Sequence, residues 1–356
     1  MTVAHLNRIA TAVPSFDVHD KFVAFAPQLL EDDRARRLFR RMAERAQIDH
    51  RYSFVEPHPS PRELDRSGLF TRGAFADTAG RMRFFALHAF DLAAEAVGRL
   101  GETLRPETVT HLIVTTCTGF YAPGLDLQLV DRFGLRPGVE RTMIGFMGCQ
   151  AALPGLKLAR HIVRSTPNAR VLMVNLELCT LHLQETSDLQ SVLSFLIFAD
   201  GCAASIVSAE RSGLELHGFG ATLLPDSREQ ITWRIGDRGF LMWLDGAVPG
   251  TIARGLPGAA ASLLGGRDPA EIELWAVHPG GRTILDAVQE GLRLEEDDLV
   301  DARAVLRHYG NMSSATVMFV LERMLEERGP ARTGCALAFG PGLTAEAMRF
   351  RTLAPG

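Results

Sequence analysis

The 356-residue chain reads as an α/β fold built from two similar halves, in which strands and helices alternate and the helices cover both faces of the sheets. Three observations predict this. Hydrophobic residues make up 46% of the chain, enough for a large core and two domain-sized units. Apolar runs of strand length alternate with stretches whose apolar residues recur at helical spacing. Reactive polar residues close corresponding corners at a nearly constant separation: 278 − 117 = 161 for the strand ends at Cys117 and His278, and 311 − 149 = 162 for the helix starts at Cys149 and Asn311.

In the first half, residues 111–116 predict a buried strand ending at Cys117. The apolar run 142–147 leads into Gly148-Cys149 and a helical stretch over 151–163, followed by a strand over 171–174. The second half repeats the order. A strand over 273–277 ends at His278, a helical stretch covers 283–290, Gly310-Asn311 precedes a helix over 313–327, and a strand covers 335–339. Such alternation predicts parallel pairing, because a parallel connection needs a long crossover. Residues 1–210 and 211–356 form the two halves, and packing them about a pseudo-twofold axis brings Cys149, His278 and Asn311 to one centre. Ahead of both repeats, residues 34–45 predict an amphipathic helix with Arg37, Arg41 and Arg45 on one face at four-residue spacing, and with Leu38 and Met42 pointing inward. A solvated face is the plain reading of that charge run.

Composition excludes several functions. Lys+Arg 38 against Asp+Glu 42 gives a net charge of −4, so no basic excess points to nucleic acid or an anionic membrane. The N-terminus lacks a basic segment followed by an apolar core, and no apolar stretch approaches the roughly 18 residues of a membrane span. A cytoplasmic protein is expected. Five widely spaced cysteines, Cys117, Cys149, Cys179, Cys202 and Cys335, without paired C-x-x-C spacing, indicate neither a disulfide framework nor a structural metal.

Cys149 carries the chemistry. At a strand-to-helix corner, unpaired amides favour thiolate over thiol, and thiolate attacks acyl groups. A small buried core thiol is the alternative. His278, in His278-Pro279-Gly280-Gly281, is a candidate to hold that thiolate as its imidazole partner. Asn311 is both a candidate N-cap and a neutral donor to an oxyanion or enolate. A Cys-His-Asn set also serves papain-like hydrolases, but there the cysteine lies in a different sequence context. In duplicated α/β halves the set points to acyl transfer, with the enolate left by decarboxylation of a malonyl-type thioester attacking an acyl-cysteine.

Gly148-Cys149, His278-Pro279-Gly280-Gly281, Gly310-Asn311-Met312-Ser313-Ser314 and Phe339-Gly340-Pro341-Gly342-Leu343-Thr344 together resemble the type III polyketide synthases, the chalcone and stilbene synthase family, nearly end to end. The resemblance implies a layered αβαβα thiolase-like fold, a homodimer, coenzyme A thioesters as substrates and no metal or redox cofactor. It implies Cys149 as acyl nucleophile, His278 and Asn311 as the decarboxylation pair, and Phe198 as a gatekeeper between the coenzyme A tunnel and the cavity, where core packing is the alternative. It places Thr116, Cys117, Cys179, His182, Met242 and Ser313 at the substrate cavity. Arg41 and Arg45 fall on two of the family's three basic positions for coenzyme A phosphates. Leu38 stands at the third, with Arg37 as its substitute. Cys179, His182 and Met242 depart from the plant pattern, so the resemblance does not imply the plant starter. Pro123, in Ala122-Pro123-Gly124, is expected cis, in the loop that crosses to the partner subunit. A single-condensation β-ketoacyl-carrier-protein synthase and a non-catalytic acyl-CoA-binding scaffold are the alternatives.

Overall fold

The computed structural model describes residues 2–326 and 329–354. The elements that build the site are, in chain order, β1 (His5–Ala12), α1 (Asp33–Arg45), α2 (Thr78–Gly98), β2 (His111–Thr116), β3 (Glu140–Gly145), α3 (Ala152–Ser165), β4 (Arg170–Leu178), β5 (Asp200–Ser208), β6 (Leu214–Leu223), β7 (Ile231–Gly236), β8 (Gly239–Leu244), α4 (Val248–Leu264), β9 (Leu274–Val277), α5 (Arg282–Leu292), α6 (Thr316–Glu326), β10 (Thr333–Gly340) and β11 (Thr344–Thr352). The last residue of the helix expected over 313–327 lies outside the described residues.

Nine strands join in the order β9-β10-β11-β6-β1-β5-β4-β2-β3. The two halves are β3-β2-β4-β5-β1 and β9-β10-β11-β6, and their sheets join where His5 pairs with Glu215 and Leu6 with Leu214. Each half is mixed rather than parallel. β2 pairs parallel with β3 and β4, and β9 with β10, whereas β4–β5, β1–β5, β10–β11 and β6–β11 are antiparallel. Periodicity shows which segments are strands but not their direction, and an antiparallel neighbour such as β11 needs only the short turn 341–343.

Helices α3 and α6 lie between the halves. α3 packs on β4 and β5 of one and on β6 and β11 of the other; α6 packs on β1 and β5 and on β9 and β10. With α2 outside the first half and α4 outside the second, the layers run αβαβα. Every residue of β4 and β5 is buried, as strands covered on both faces require. The N-termini of the two central helices meet in the middle of the molecule.

Helix α1 corrects one expectation. Asp32 caps it, accepting from the Ala35 N–H at 2.8 Å, and Arg37, Arg41 and Arg45 are exposed as expected. Leu38 and Met42, expected inward, are 42% and 39% exposed. Phe39 takes the inward position, flanked at four-residue spacing by half-buried Ala35 and Ala43, with its ring edge-on to Phe22 at 6.2 Å. The helix turns to bury its largest apolar side chain.

Candidate active site

The strand β3 ends at Gly145, and the chain then turns through Phe146 at φ 55° and Gly148 at φ 67° into a short 3-10 turn, Gly148–Gln150, ahead of α3. Gly148 answers two demands. Its φ is left-handed, and a Cβ there would lie 2.5 Å from Cδ of Pro341, in the loop 340–342. That loop is tied to the same turn by the Thr344 hydroxyl, which donates to Gln150 Oε1 at 2.7 Å. Gly148→Ala is expected to push the loop off the turn and displace Cys149, costing roughly 10- to 100-fold in turnover and lowering the melting temperature. A variant that turns over and melts like the parent would show that the loop has room to give.

Asn311 is held on every side. Its backbone N–H donates to Ile197 O at 2.7 Å and its carbonyl accepts from Ala199 N at 2.9 Å, so it is clipped to the segment that carries Phe198. In the side chain, Oδ1 accepts from the Ser313 N–H at 2.8 Å and Nδ2 donates to Gly280 O at 3.3 Å, which fixes the amide's orientation and leaves one Nδ2 hydrogen for a ligand. Asn311 stands one residue ahead of the N-cap, Met312, rather than at it. Its amide therefore braces the turn from outside the helix. Cys149 Sγ lies 4.0 Å from Asn311 Oδ1.

His278 follows β9, and its backbone N–H donates to Leu337 O of β10 at 2.8 Å. Its ring is buried, and neither ring nitrogen has a hydrogen-bond partner among the described residues. Burial pushes the imidazole down to about 3. Burial likewise pushes the Cys149 thiol up to about 11, against opposing hydrogen bonds from Ser313 and Asn311, with the buried Glu177 carboxyl adding to the rise. The expected resting thiolate is therefore not what this environment favours. Thiol and imidazole are neutral until a proton passes between them, after which each charge stabilises the other.

Cys149, His278 and Asn311 all line one cavity of about 800 Å³, counted out to its open mouth. Cys117, Cys179, Met242, Ser313 and Phe198 line it too. Thr116 and His182 do not. Thr116 lies buried beside Glu177, and Thr118 takes the lining position in its place. His182 braces the wall from behind: its Nδ1 accepts from the Phe240 N–H at 3.0 Å, its Nε2–H donates to Thr118 O at 2.7 Å, and its ring stacks on Phe240 at 4.3 Å. Arg37, Arg41 and Arg45 are not part of this lining. The Ala122–Pro123 peptide is cis.

Two features escaped the sequence reading. The hairpin β7–β8 walls the cavity through Ile231, Trp233 and Leu244 beside the expected Met242, and Trp233 Nε1–H donates to Cys117 O at 2.7 Å. Behind Cys117, the buried Glu177 accepts from the Cys117 N–H at 3.0 Å, the Thr118 hydroxyl at 2.9 Å and the Ser314 hydroxyl at 2.6 Å. Burial raises its carboxyl, and these donors oppose the rise. Asn175 and Glu177, two polar residues at a spacing of two in the otherwise apolar run 171–178, were the available signal.

Asp200, at the start of β5, accepts from the Thr180 N–H at 2.9 Å, the Thr180 hydroxyl at 2.8 Å and the Ser53 hydroxyl at 2.9 Å. Burial nevertheless raises its carboxyl from 3.8 to about 6. A carboxyl raised in the folded state adds stability below its unfolded value, and that stability is lost as pH climbs through the folded one. The difference in unfolding free energy between Asp200→Asn and the parent is expected to move in the variant's favour by about 3 kcal/mol from pH 3.5 to pH 7.5. Denaturant titrations at the two pH values measure it, and a constant difference would contradict the raised value.

Among the described residues no helix is long and apolar enough to cross a membrane, and no group of His, Cys, Asp and Glu is placed to hold a metal ion. Residues 4–211 match the family model for chalcone and stilbene synthases, N-terminal domain, and residues 215–354 match the model for the C-terminal domain. The α-pyrone synthesis polyketide synthase-like Pks18 of Mycobacterium tuberculosis is 32% identical over 98% of this chain and 91% of its own length. Bisdemethoxycurcumin synthase of Oryza sativa is 35% identical over 89% of this chain and 82% of its own. Among solved structures, 1,3,6,8-tetrahydroxynaphthalene synthase of Streptomyces coelicolor superposes with a TM-score of 0.88 at 25% identity, covering 99% of this chain and all of the other. The C-terminal domain of Steely1 from Dictyostelium, 24% identical, gives a TM-score of 0.90 over 99% of this chain and all of that domain and shares the fold. With both domain models matched along nearly the whole chain, the protein belongs to the chalcone and stilbene synthase family and is a type III polyketide synthase, an acyltransferase that works by decarboxylative condensation.

Proposed function

We propose that an acyl group from an acyl-CoA starter is carried on Cys149 and extended by successive malonyl-CoA units, and that the chain then closes to a pyrone, resorcinol or related ring. The observation that carries this reading is the 4.0 Å approach of Cys149 Sγ to the amide of Asn311, in one cavity with the unpartnered imidazole of His278. The thiol proton passes to His278, the thiolate attacks the starter thioester, and coenzyme A leaves as its thiol. Malonyl-CoA then binds with its thioester oxygen between His278 and the free N–H of Asn311. Loss of carbon dioxide leaves an enolate whose charge these donors stabilise, and a neutral amide does so without protonating it. Attack on the acyl-cysteine forms the carbon-carbon bond and frees the thiolate.

In this reading residues 1–210 supply the nucleophile and the basic helix, and residues 211–356 supply the two donors. Arg37, Arg41 and Arg45, exposed and in no ion pair among the described residues, take the coenzyme A phosphates. Phe198 gates the cavity. A homodimer is supported by the free edge of β3, where Met143 is 42% exposed and Phe120 and Met147 are also exposed. Five free thiols suit a cytoplasmic setting. The apolar lining and the pyrone-forming relative favour a fatty-acyl starter. Incubation with radiolabelled malonyl-CoA and a panel of acyl-CoA starters, read by product mass spectrometry, tests the reading. Multiply extended, cyclised products are expected; one condensation on a carrier protein would select a β-ketoacyl synthase instead, and binding without carbon dioxide release a scaffold.

A further inference from the structure

A second cavity lies behind the wall of the first, sharing Phe195 and Phe198 with it and enclosing about 430 Å³ out to its open mouth. Its walls are apolar, with Phe22, Leu64 and Phe70 among them, but its floor carries Arg51, which is 2% exposed. The guanidinium is incompletely satisfied. Nε–H donates to His19 Nδ1 at 3.0 Å, and Nη1 donates to Phe195 O at 3.0 Å and Phe198 O at 2.7 Å, while the buried Nη2 has no hydrogen-bond partner among the described residues.

Among the described residues no carboxylate forms an ion pair with this charge. The two acids whose fields reach it are Asp17 and Asp200. Asp17 is engaged by His50 Nδ1 at 2.6 Å and by the backbone N–H groups of His19 and Arg51. Asp200 is engaged by Thr180 and Ser53. Lys21 adds a second cation to the lining, held by the carbonyls of His58 and Ser60. A buried, hydrogen-bond-deficient guanidinium at the bottom of an apolar pocket matches a ligand with the complementary halves, because leaving such a donor unpaired costs more than pairing it gains elsewhere.

We propose that this cavity is a binding site for a small apolar monocarboxylate, the carboxylate on Nη2 of Arg51 and the hydrocarbon body against Phe22, Leu64 and Phe70. The site is separate from the catalytic cavity and does not depend on the roles given to Cys149, His278 and Asn311. Arg51 holds the carbonyls of Phe195 and Phe198, so the ligand shares one guanidinium with the wall between the cavities.

Isothermal titration of the full-length enzyme with sodium octanoate and with 1-octanol tests the assignment. Octanoate is expected to bind saturably and octanol at least tenfold more weakly. Arg51→Gln and Leu64→Trp are each expected to abolish octanoate binding, with the circular dichroism spectrum of the parent. Should Arg51→Gln fail to fold, Leu64→Trp decides, since it fills the pocket while leaving the guanidinium and the catalytic lining in place. A co-crystal structure is expected to show a carboxylate oxygen within about 3.2 Å of Nη2. Equal binding of octanoate and octanol, unchanged octanoate binding by Leu64→Trp, or octanoate density only in the catalytic cavity would overturn the proposal.

Discussion

Cys149→Ala is expected to abolish polyketide formation, by roughly 10⁴-fold or more, while leaving the protein folded. The loss follows from chemistry: without the sulfur there is no covalent acyl intermediate, and neither His278 nor Asn311 can substitute as the site that carries the chain. Folding is spared because the thiol's 4.0 Å contact to Asn311 is too long to anchor the turn, which Gly148 and Pro341 shape instead. Intact-mass spectrometry after incubation with acyl-CoA gives the sharpest reading. The parent should gain the mass of the acyl group and the variant should not. Product from the alanine enzyme, or acylation at another residue, would remove Cys149 from its role.

Asn311→Ala is expected to reduce product formation by about 10²- to 10³-fold while acylation of Cys149 persists. Decarboxylation needs the donor; loading the starter does not need it to the same degree. The alanine variant also strips Oδ1 from the buried Ser313 N–H, which costs about 1–3 kcal/mol of stability. Asn311→Asp separates the two effects. Its carboxylate still accepts from Ser313 but offers no N–H and places negative charge against a developing enolate, so it should fold better than the alanine variant and condense no faster. Carbon dioxide release from malonyl-CoA measures the step directly. If Asn311→Asp released it at the parent's rate, the amide would not be the enolate's partner.

How much of the site could be read in advance varies with the kind of signal. Cys149, His278 and Asn311 were legible because each sits at the end of a strand or the start of a helix, where local pattern marks a corner, and because the two halves repeat the order at separations of 161 and 162 residues. Glu177 was harder to see. A carboxyl inside a strand advertises itself only as a break in apolar alternation, and its role behind Cys117 depends on Thr118 and Ser314, which approach from elsewhere. Trp233 was obscured for a different reason: it faces Met242, which the family resemblance placed at the cavity, across the β7–β8 hairpin, and which face of the hairpin turns toward the cavity is set by packing, not by its sequence. His182 illustrates the converse. Its residue type suggests chemistry, yet both ring nitrogens are consumed by backbone groups of Phe240 and Thr118.

The amino-acid order alone pointed to the duplicated α/β plan, to Cys149, His278 and Asn311 as the candidate trio and to the family, since periodicity, corner residues and motif order are local properties that survive without coordinates. Strand direction, the inward face of α1, the neutral state that burial favours for Cys149 and His278, and the unsatisfied guanidinium of Arg51 belonged to the tertiary structure. Each of these depends on which groups from distant segments share a small volume from which water is excluded. Desolvation and hydrogen-bond satisfaction are set by that neighbourhood and not by any residue's neighbours along the chain.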